Sequence, residues 1–172
     1  AFTWEQGTWV SNEEPSVEDP IISGVVTDMT EAKVTVLGVP DRPGISAALF
    51  EPLAEANVNV DMIVQNTSTE GTTDISFTMP MADLAQAESI VQRVAEEIEA
   101  TEVTHDDDIA KVSLVGAGMK SSPGIAAKMF RVLADEGVNI QMISTSTIRV
   151  SIIIPAGDME RAARSLHTAF GL

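Results

Sequence analysis

The chain contains one unit twice, and this internal repeat restricts the fold more than any other feature of the sequence. AKVTVLGVPDRPGISAALFEPLAEANVNVDMIVQNTSTEGTTDISFTMP starts at Ala32, and AKVSLVGAGMKSSPGIAAKMFRVLADEGVNIQMISTSTIRVSIIIP starts at Ala110. Both open on Ala-Lys-Val, reach Pro-Gly-Ile before a helical stripe, pass Val-Asn, and place Met62 or Met142 in the strand that follows. A duplicated unit has to bury its apolar faces the same way twice, so each element read in one copy checks the other.

Each copy reads as βαββα. Lys33 to Gly38 alternates with β-branched residues and stops at glycine, the pattern of a strand. Pro43-Gly44 and Pro123-Gly124 punctuate a turn and open a helix, with proline where its missing N–H costs nothing. Ile125, Met129, Val132 and Leu133 then form a stripe at helical spacing, and Asn57 and Gly137 end the two helices in C-cap style. Pro52 lies inside the first of these helices and is expected to kink it or remove a hydrogen bond. Val58 to Gln65 and Thr72 to Met79 read as two strands joined by Thr69-Glu70-Gly71; Val138 to Thr145 and Thr147 to Ile154 repeat them. Leu84, Ala87, Val91, Val94 and Ile98 form the apolar face of a further helix, as do Met159, Ala162, Ala163, Leu166 and Phe170.

A last strand near Glu102 to His105 completes βαββαβ in the first copy, with helices on one face of an antiparallel sheet. The second copy reaches Leu172 directly after its last helix and lacks that strand. A sheet short of one strand exposes a row of unpaired N–H and C=O groups, and the strand-like Ile21 to Thr27 lies outside the first copy, free to fill the gap. The expected fold is therefore α+β: two ferredoxin-like units, the first at 33–106 inserted within the second at 21–28 plus 109–172. Residues 1–20 read as a tail or linker in which Trp4 and Trp9 are out of place. Two readings of these Trp stand open, docking on the domain surface or descent from the core of a preceding domain. The initial Ala is expected of a fragment or of a processed or engineered product.

Composition excludes several functions. Twenty-six acidic residues against ten basic ones give a net charge of -16, which opposes phosphate backbones and anionic lipid, so neither nucleic acid nor membrane is an expected partner. The absence of Cys removes disulfides, thiol nucleophiles and iron–sulfur ligation. No apolar run approaches the roughly 20 residues of a membrane span and no signal-peptide pattern is present, so a soluble, cytoplasmic chain is expected. Phe77 is the only aromatic in the strands, too few for base stacking on such a sheet. His105 and His167 fall at ends of elements without a Ser-His-Asp arrangement, Asp106-Asp107-Asp108 reads as a solvated acidic turn, and no GxxxxGK[ST] cradle occurs. No catalytic residue, metal or cofactor is expected.

The distinctive chemistry lies in the strand-to-helix loops, Val39 to Gly44 and Ala117 to Gly124. Glycine at a helix start lets backbone approach a ligand closely, and the helix N-terminal amides favour a carboxylate. Asp41 in the first loop and Asp61 on the following strand are placed to neutralise an ammonium, and a carboxylate sink beside an ammonium sink is what a free amino acid requires. The alternative is that Pro-Gly is a plain turn and Asp41 caps the helix. On residues alone both readings stand.

GVPDRPGISAALFEPLAEANVNVDMIVQN and STEGTTDISFT resemble the first regulatory ACT domain of lysine-pathway aspartate kinases, and GAGMKSSPGIAAKMFRVLADEGVNIQMISTS resembles the second. The resemblance runs from about Pro20 to Leu172, and AFTWEQGTWV is similar to the end of the catalytic domain in that family. It implies the interleaved topology, dimerisation through sheet edges, pairing with a catalytic aspartate kinase chain, and feedback inhibition by threonine, lysine or both, sensed between ACT units. A threonine-type site maps onto Asp41, Gly44, Ile45, Ser46, Gln65 and Asn66, facing Asn139 and Ile140 of a partner chain. A lysine-type site maps onto Asp61 with Gly124, Ile125, Ala126, Ser146 and Thr147. Thr147 stands where many relatives have Glu and Ser122 where many have His, which implies a weaker lysine response. A free-standing amino-acid sensor acting on a different enzyme or a repressor is the alternative function. A small enzyme acting alone is disfavoured, because no nucleophile and base pair is present.

Overall fold

The computed structural model of the chain describes residues 22–66, 71–117 and 123–172. Residues 1–20 with both Trp, Ile21, Thr69, Glu70 and Ser122 lie outside the described residues. The strands are β1 (Ile22–Asp28), β2 (Glu31–Pro40), β3 (Ile63–Gln65), β4 (Thr72–Pro80), β5 (Glu102–Asp106), β6 (Ile109–Gly116), β7 (Met142–Thr145) and β8 (Arg149–Pro155). The helices are α1 (Ile45–Glu55), α2 (Leu84–Glu97), α3 (Ile125–Asp135) and α4 (Met159–Phe170), with short 3₁₀ turns leading into α2 and α4.

These elements form two antiparallel four-stranded sheets in the orders β3-β4-β2-β5 and β1-β6-β8-β7, the α+β pattern of two βαββαβ units with the first inserted in the second. β1 pairs along β6 with Val25 opposite Leu114 and Asp28 opposite Lys111, supplying the strand the second repeat lacks. Period-2 alternation sets the two faces of each sheet. Val34, Val36 and Phe77 turn toward α1 and α2 and are fully buried with Leu49, Leu53 and Val91. Val112, Leu114, Ile152 and Ile154 do the same in the second unit against Met129, Leu133 and Leu166. Phe50 meets Phe77 edge to face at 5.2 Å, a favoured aromatic geometry. The alternate positions, among them Lys33, Thr35, Lys111 and Ser113, lie on the helix-free faces.

The helix ends behave as the sequence requires. Asn57 and Gly137 adopt positive φ (58° and 68°), and the next amides, Val58 and Val138, donate back to the Leu53 and Leu133 carbonyls at 2.9 Å, closing two Schellman motifs. α1 runs unbroken through Pro52. The proline removes the donor for the Ala48 carbonyl, while buried Ile45, Leu49 and Leu53 hold the helix on the core along its apolar face. The two strands expected from Val58 and Val138 are shorter than their pattern: β3 begins at Ile63 and β7 at Met142. The residues before them are extended but irregular, because Asp61 and Gln141 donate single amide bonds to the Thr78 and Ile153 carbonyls (3.0 and 2.8 Å) outside a regular ladder.

The end of β2 carries a register shift between Val36 and Val39, and Gly38 sits in it at φ +63°. Its amide donates to Asp74 Oδ1 at 2.9 Å, and the Leu37 carbonyl accepts from the Thr101 amide at 2.8 Å. This bulge aims the chain into the Val39 to Gly44 loop. A Cβ at Gly38 would lie 2.0 Å from Thr101 Oγ1, whereas one at Gly44 (φ +96°) would meet nothing within 4 Å. Gly38→Ala should therefore lower unfolding free energy by about 2 kcal/mol or more, and Gly44→Ala by only about 1 kcal/mol from backbone strain. Urea denaturation of the two variants checks the order; equal losses would contradict the packing role of Gly38.

Candidate functional site

The first loop and the start of α1 form an exposed polar lip. Gly44 precedes the helix in a left-handed conformation, and no side chain caps the helix. Asp41, exposed, is held through its backbone amide by the Gly71 carbonyl at 2.9 Å. The plain capping role considered for Asp41 is thus not what the side chain does. The Gly44 carbonyl accepts from the Ala48 amide at 2.9 Å, and the Ile45 amide reaches the Arg42 carbonyl only at 3.4 Å, so the first-turn amides remain largely available. Ile45 is buried and anchors the turn, while Ser46 points outward and its hydroxyl donates to Gln65 Oε1 at 3.1 Å. Gln65 stands on edge strand β3, and the carbonyl of Asn66 accepts from the Thr73 hydroxyl. The fold thus brings Ser46 to Gln65 from elements 19 residues apart, with Gly44 and Asp41 in the adjoining loop.

The second unit repeats this arrangement with differences. Gly124 (φ +105°) opens α3 without a side-chain cap, Ile125 is buried and Ala126 half-buried. Ser146 and Thr147 lie in the tight turn after β7, where the Ser146 amide donates to the Arg149 carbonyl at 2.7 Å and the Ile148 amide to Ser146 Oγ at 3.4 Å. Asn139 is exposed between α3 and β7, and Ile140 packs against the core of its own unit.

Asp61 is not a free carboxylate. Its Oδ2 accepts from Lys111 Nζ at 2.8 Å, and its Oδ1 lies 3.9 Å from Arg149. Lys111, from β6, also bonds Glu31 and lies 3.6 Å from Asp28. Its side chain is only 11% exposed. Burial by itself would depress this lysine, but the hydrogen bonds and charges of Asp61 and Glu31 outweigh it and hold Lys111 above its ordinary value. Asp28 is held below the usual carboxylate range, first by the Thr30 hydroxyl (2.7 Å) and the Thr30 amide (2.8 Å), with Lys111 adding to them against burial. The counterpart in the first unit is Lys33, which bonds Gln141 and lies 3.6 Å from Asp106. Met62, Ile109, Met142 and Ile153 form a small buried cluster alongside. Sequence reasoning passed over Lys33, Lys111 and Arg149; the signal for the first two was Ala-Lys-Val at both repeat starts, a lysine placed inside a strand twice.

The site can offer amides to a carboxylate, a carboxylate to an ammonium, and a hydroxyl and an amide to a further polar group. Among the described residues no group of three or more His, Cys, Asp or Glu is arranged to hold a metal ion, and no helix is long and apolar enough to cross a membrane.

Fold and loop geometry define a tandem of ACT domains: residues 33–99 and residues 112–170 each match an ACT-domain family. An aspartate kinase of Pseudomonas fluorescens is 52% identical over 173 residues, a match that covers 100% of this chain and 42% of the relative. A chain in the crystal structure of aspartokinase alpha and beta subunits is 48% identical with a TM-score of 0.83, covering 88% of this chain and 100% of that one. The ligand-free regulatory subunit of aspartate kinase from Thermus thermophilus is 42% identical with a TM-score of 0.82, covering 87% of this chain and 98% of that one. The chain belongs to the aspartokinase family as its regulatory ACT region, the catalytic kinase being carried elsewhere. It spans 42% of the length of the full kinases it matches.

The two shifted groups give the stability a definite pH window. Asp28, depressed in the folded state, contributes stability above its ordinary value of 3.8 that is lost as pH falls through its folded value. Lys111, raised, contributes stability present in full below 10.5 and lost as pH rises through its folded value. Urea midpoints should hold a plateau between these limits. Asp28→Asn should make the acid limb shallower and Lys111→Met the alkaline limb; limbs as steep as those of the parent chain would refute the assignment.

Proposed function

We propose that the chain senses free amino acids, threonine at the first loop and lysine at the second, and conveys feedback inhibition to an aspartate kinase in the cytoplasm. Its role as an allosteric regulatory module follows from its family. The observation that carries the threonine reading is the uncapped start of α1 with Ser46 and Gln65 joined beside it. Threonine presents an ammonium, a carboxylate and a hydroxyl, and each must be met in a closed site, because an unmet buried polar group costs roughly 1–3 kcal/mol. The ammonium is assigned to Asp41 and nearby carbonyls, the carboxylate to amides around Gly44 and Ile45, and the hydroxyl to Gln65, with Asn66 alongside.

Asn139 and Ile140 of a second copy would close the site, so threonine would bind the dimer more tightly than separated chains and shift the assembly by that difference. The exposed edge strands support this pairing: β3 carries Ile63 at 51% exposure and β7 carries Ile143 at 43%, an apolar edge unusual for a lone chain. The lysine reading uses Gly124, Ile125, Ala126, Ser146 and Thr147, with Asp61 taking part by giving up its ion pair. Transmission to a catalytic chain would follow from the altered pairing, which holds the kinase domains in a less active arrangement.

Calorimetric titration of the chain with threonine and with lysine tests the reading. Gln65→Ala should weaken threonine binding about tenfold and leave the fold intact; unchanged affinity would place the site elsewhere. The solution mass should exceed 18.3 kDa by a whole multiple in the presence of threonine, and a strict monomer would count against the pairing. The purified chain should show no ATP turnover with aspartate, and it should co-purify with an aspartate kinase catalytic chain rather than with an unrelated enzyme or a repressor.

A further inference from the structure

We propose that Lys111 and Lys33 are reciprocal positioning residues, each fastening the ligand-bearing strand of the opposite unit so that the two effector segments respond to one another. This rests on the effector reading above and names how its two sites are coupled. Lys111 belongs to β6 of the second unit, yet it reaches Asp61 at the entrance to β3 of the first, at 2.8 Å. Lys33 belongs to β2 of the first unit, yet it bonds Gln141 at the entrance to β7 of the second. The repeat makes these two contacts equivalent, Ala-Lys-Val for each lysine and Asp61-Met62 against Gln141-Met142 for their targets. The equivalence extends to the backbone, since Asp61 and Gln141 are both tied to the central strand beside them, at Thr78 and Ile153.

Each fastened residue lies next to groups assigned to the effector. Asp61 precedes the short edge strand β3, which ends at Gln65 with Asn66 next to it, and Asn139 and Ile140 directly precede Gln141. β3 is bonded along one side only, to β4, and β7 along one side only, to β8. The cross-unit lysine is therefore a principal restraint on the free side of each segment, together with the Met62–Ile109–Met142–Ile153 contact. Neither lysine moves easily, because an ammonium buried beside carboxylates and deprived of them would be stranded without solvent. The two restraints differ in kind. Lys111 meets a carboxylate, whereas Lys33 meets an amide whose Nε2 donates onward to Asp106 at 3.3 Å. The first-unit segment is thus the more tightly held.

The test is amide hydrogen exchange on the 172-residue chain carrying Lys111→Met, Lys33→Met or Lys111→Arg, each checked by circular dichroism and thermal melting. Lys111→Met should speed exchange at the protected amides of Ile63–Gln65 about fivefold, and Lys33→Met should do so at Met142–Thr145, in each case in the unit that does not carry the substitution. Acceleration confined to the unit that carries the substituted lysine, uniform acceleration that tracks a lower melting temperature, or no change would each overturn the proposal. Lys111→Met should also weaken threonine binding about fivefold, with Lys111→Arg restoring it to within about twofold. Threonine affinity unchanged by Lys111→Met but lost in Gln65→Ala would overturn the coupling and leave the site assignment standing. Threonine affinity unchanged in Gln65→Ala would overturn the site, and the exchange pattern would then decide the fastening on its own.

Discussion

An ammonium group enclosed by three carboxylates governs how the two halves of this chain sit together. Lys111 draws Asp28 from β1, Glu31 from the start of β2 and Asp61 from the approach to β3 onto one point of β6. In a chain with a net charge of -16 this ammonium offsets part of the repulsion among three clustered acids. Exposed pairs of this kind contribute little to stability, but a side chain only 11% exposed is screened less by solvent, and its partners must be present for it to be buried at all. The helix-free faces of both sheets are thereby held against each other, and the segments leading into β3 and β7 take their positions from that contact.

This arrangement separates two tasks within one duplicated unit. The helix side of each sheet carries an apolar core of ordinary composition, with Leu49, Leu53 and Phe77 in one unit and Met129, Leu133 and Leu166 in the other. The helix-free side carries polar pairs, Thr35 with Ser76 and Ser113 with Ser151, and the lysine contacts between units. The apolar core of each unit lies on one face, and the contacts between units lie on the other. Gly44 and Gly124, at helix starts without a side-chain cap, are themselves exposed and outside either core.

Much of the fold was legible in the sequence because it depends on local periodicity. The repeat announced two units, the missing last strand of the second copy pointed to the segment before the first, and Asn57 and Gly137 marked helix ends that close as Schellman motifs. The strands ending at Gln65 and Thr145 are shorter than their pattern, because alternation of Val58 to Gln65 continues through residues whose amides make single bonds rather than a ladder. Pro52 takes one hydrogen-bond donor out of α1, as its place in the pattern implies, and the helix runs on through it with Ile45, Leu49 and Leu53 buried.

What the sequence determined by itself was the kind of each element, the duplication, and the Pro-Gly helix starts, all of which are set by interactions within a few residues. What only the tertiary structure decided was the partner of each polar side chain. Along the sequence Asp61 reads as a free carboxylate for a ligand, yet in the fold Lys111, 50 residues away, occupies it, and Asp41 reads as a possible cap, yet no side chain caps α1. Lys33 finds Gln141 across 108 residues. Hydrogen bonds and ion pairs of that kind are chosen by which faces meet after folding, and no local period along the chain records that choice.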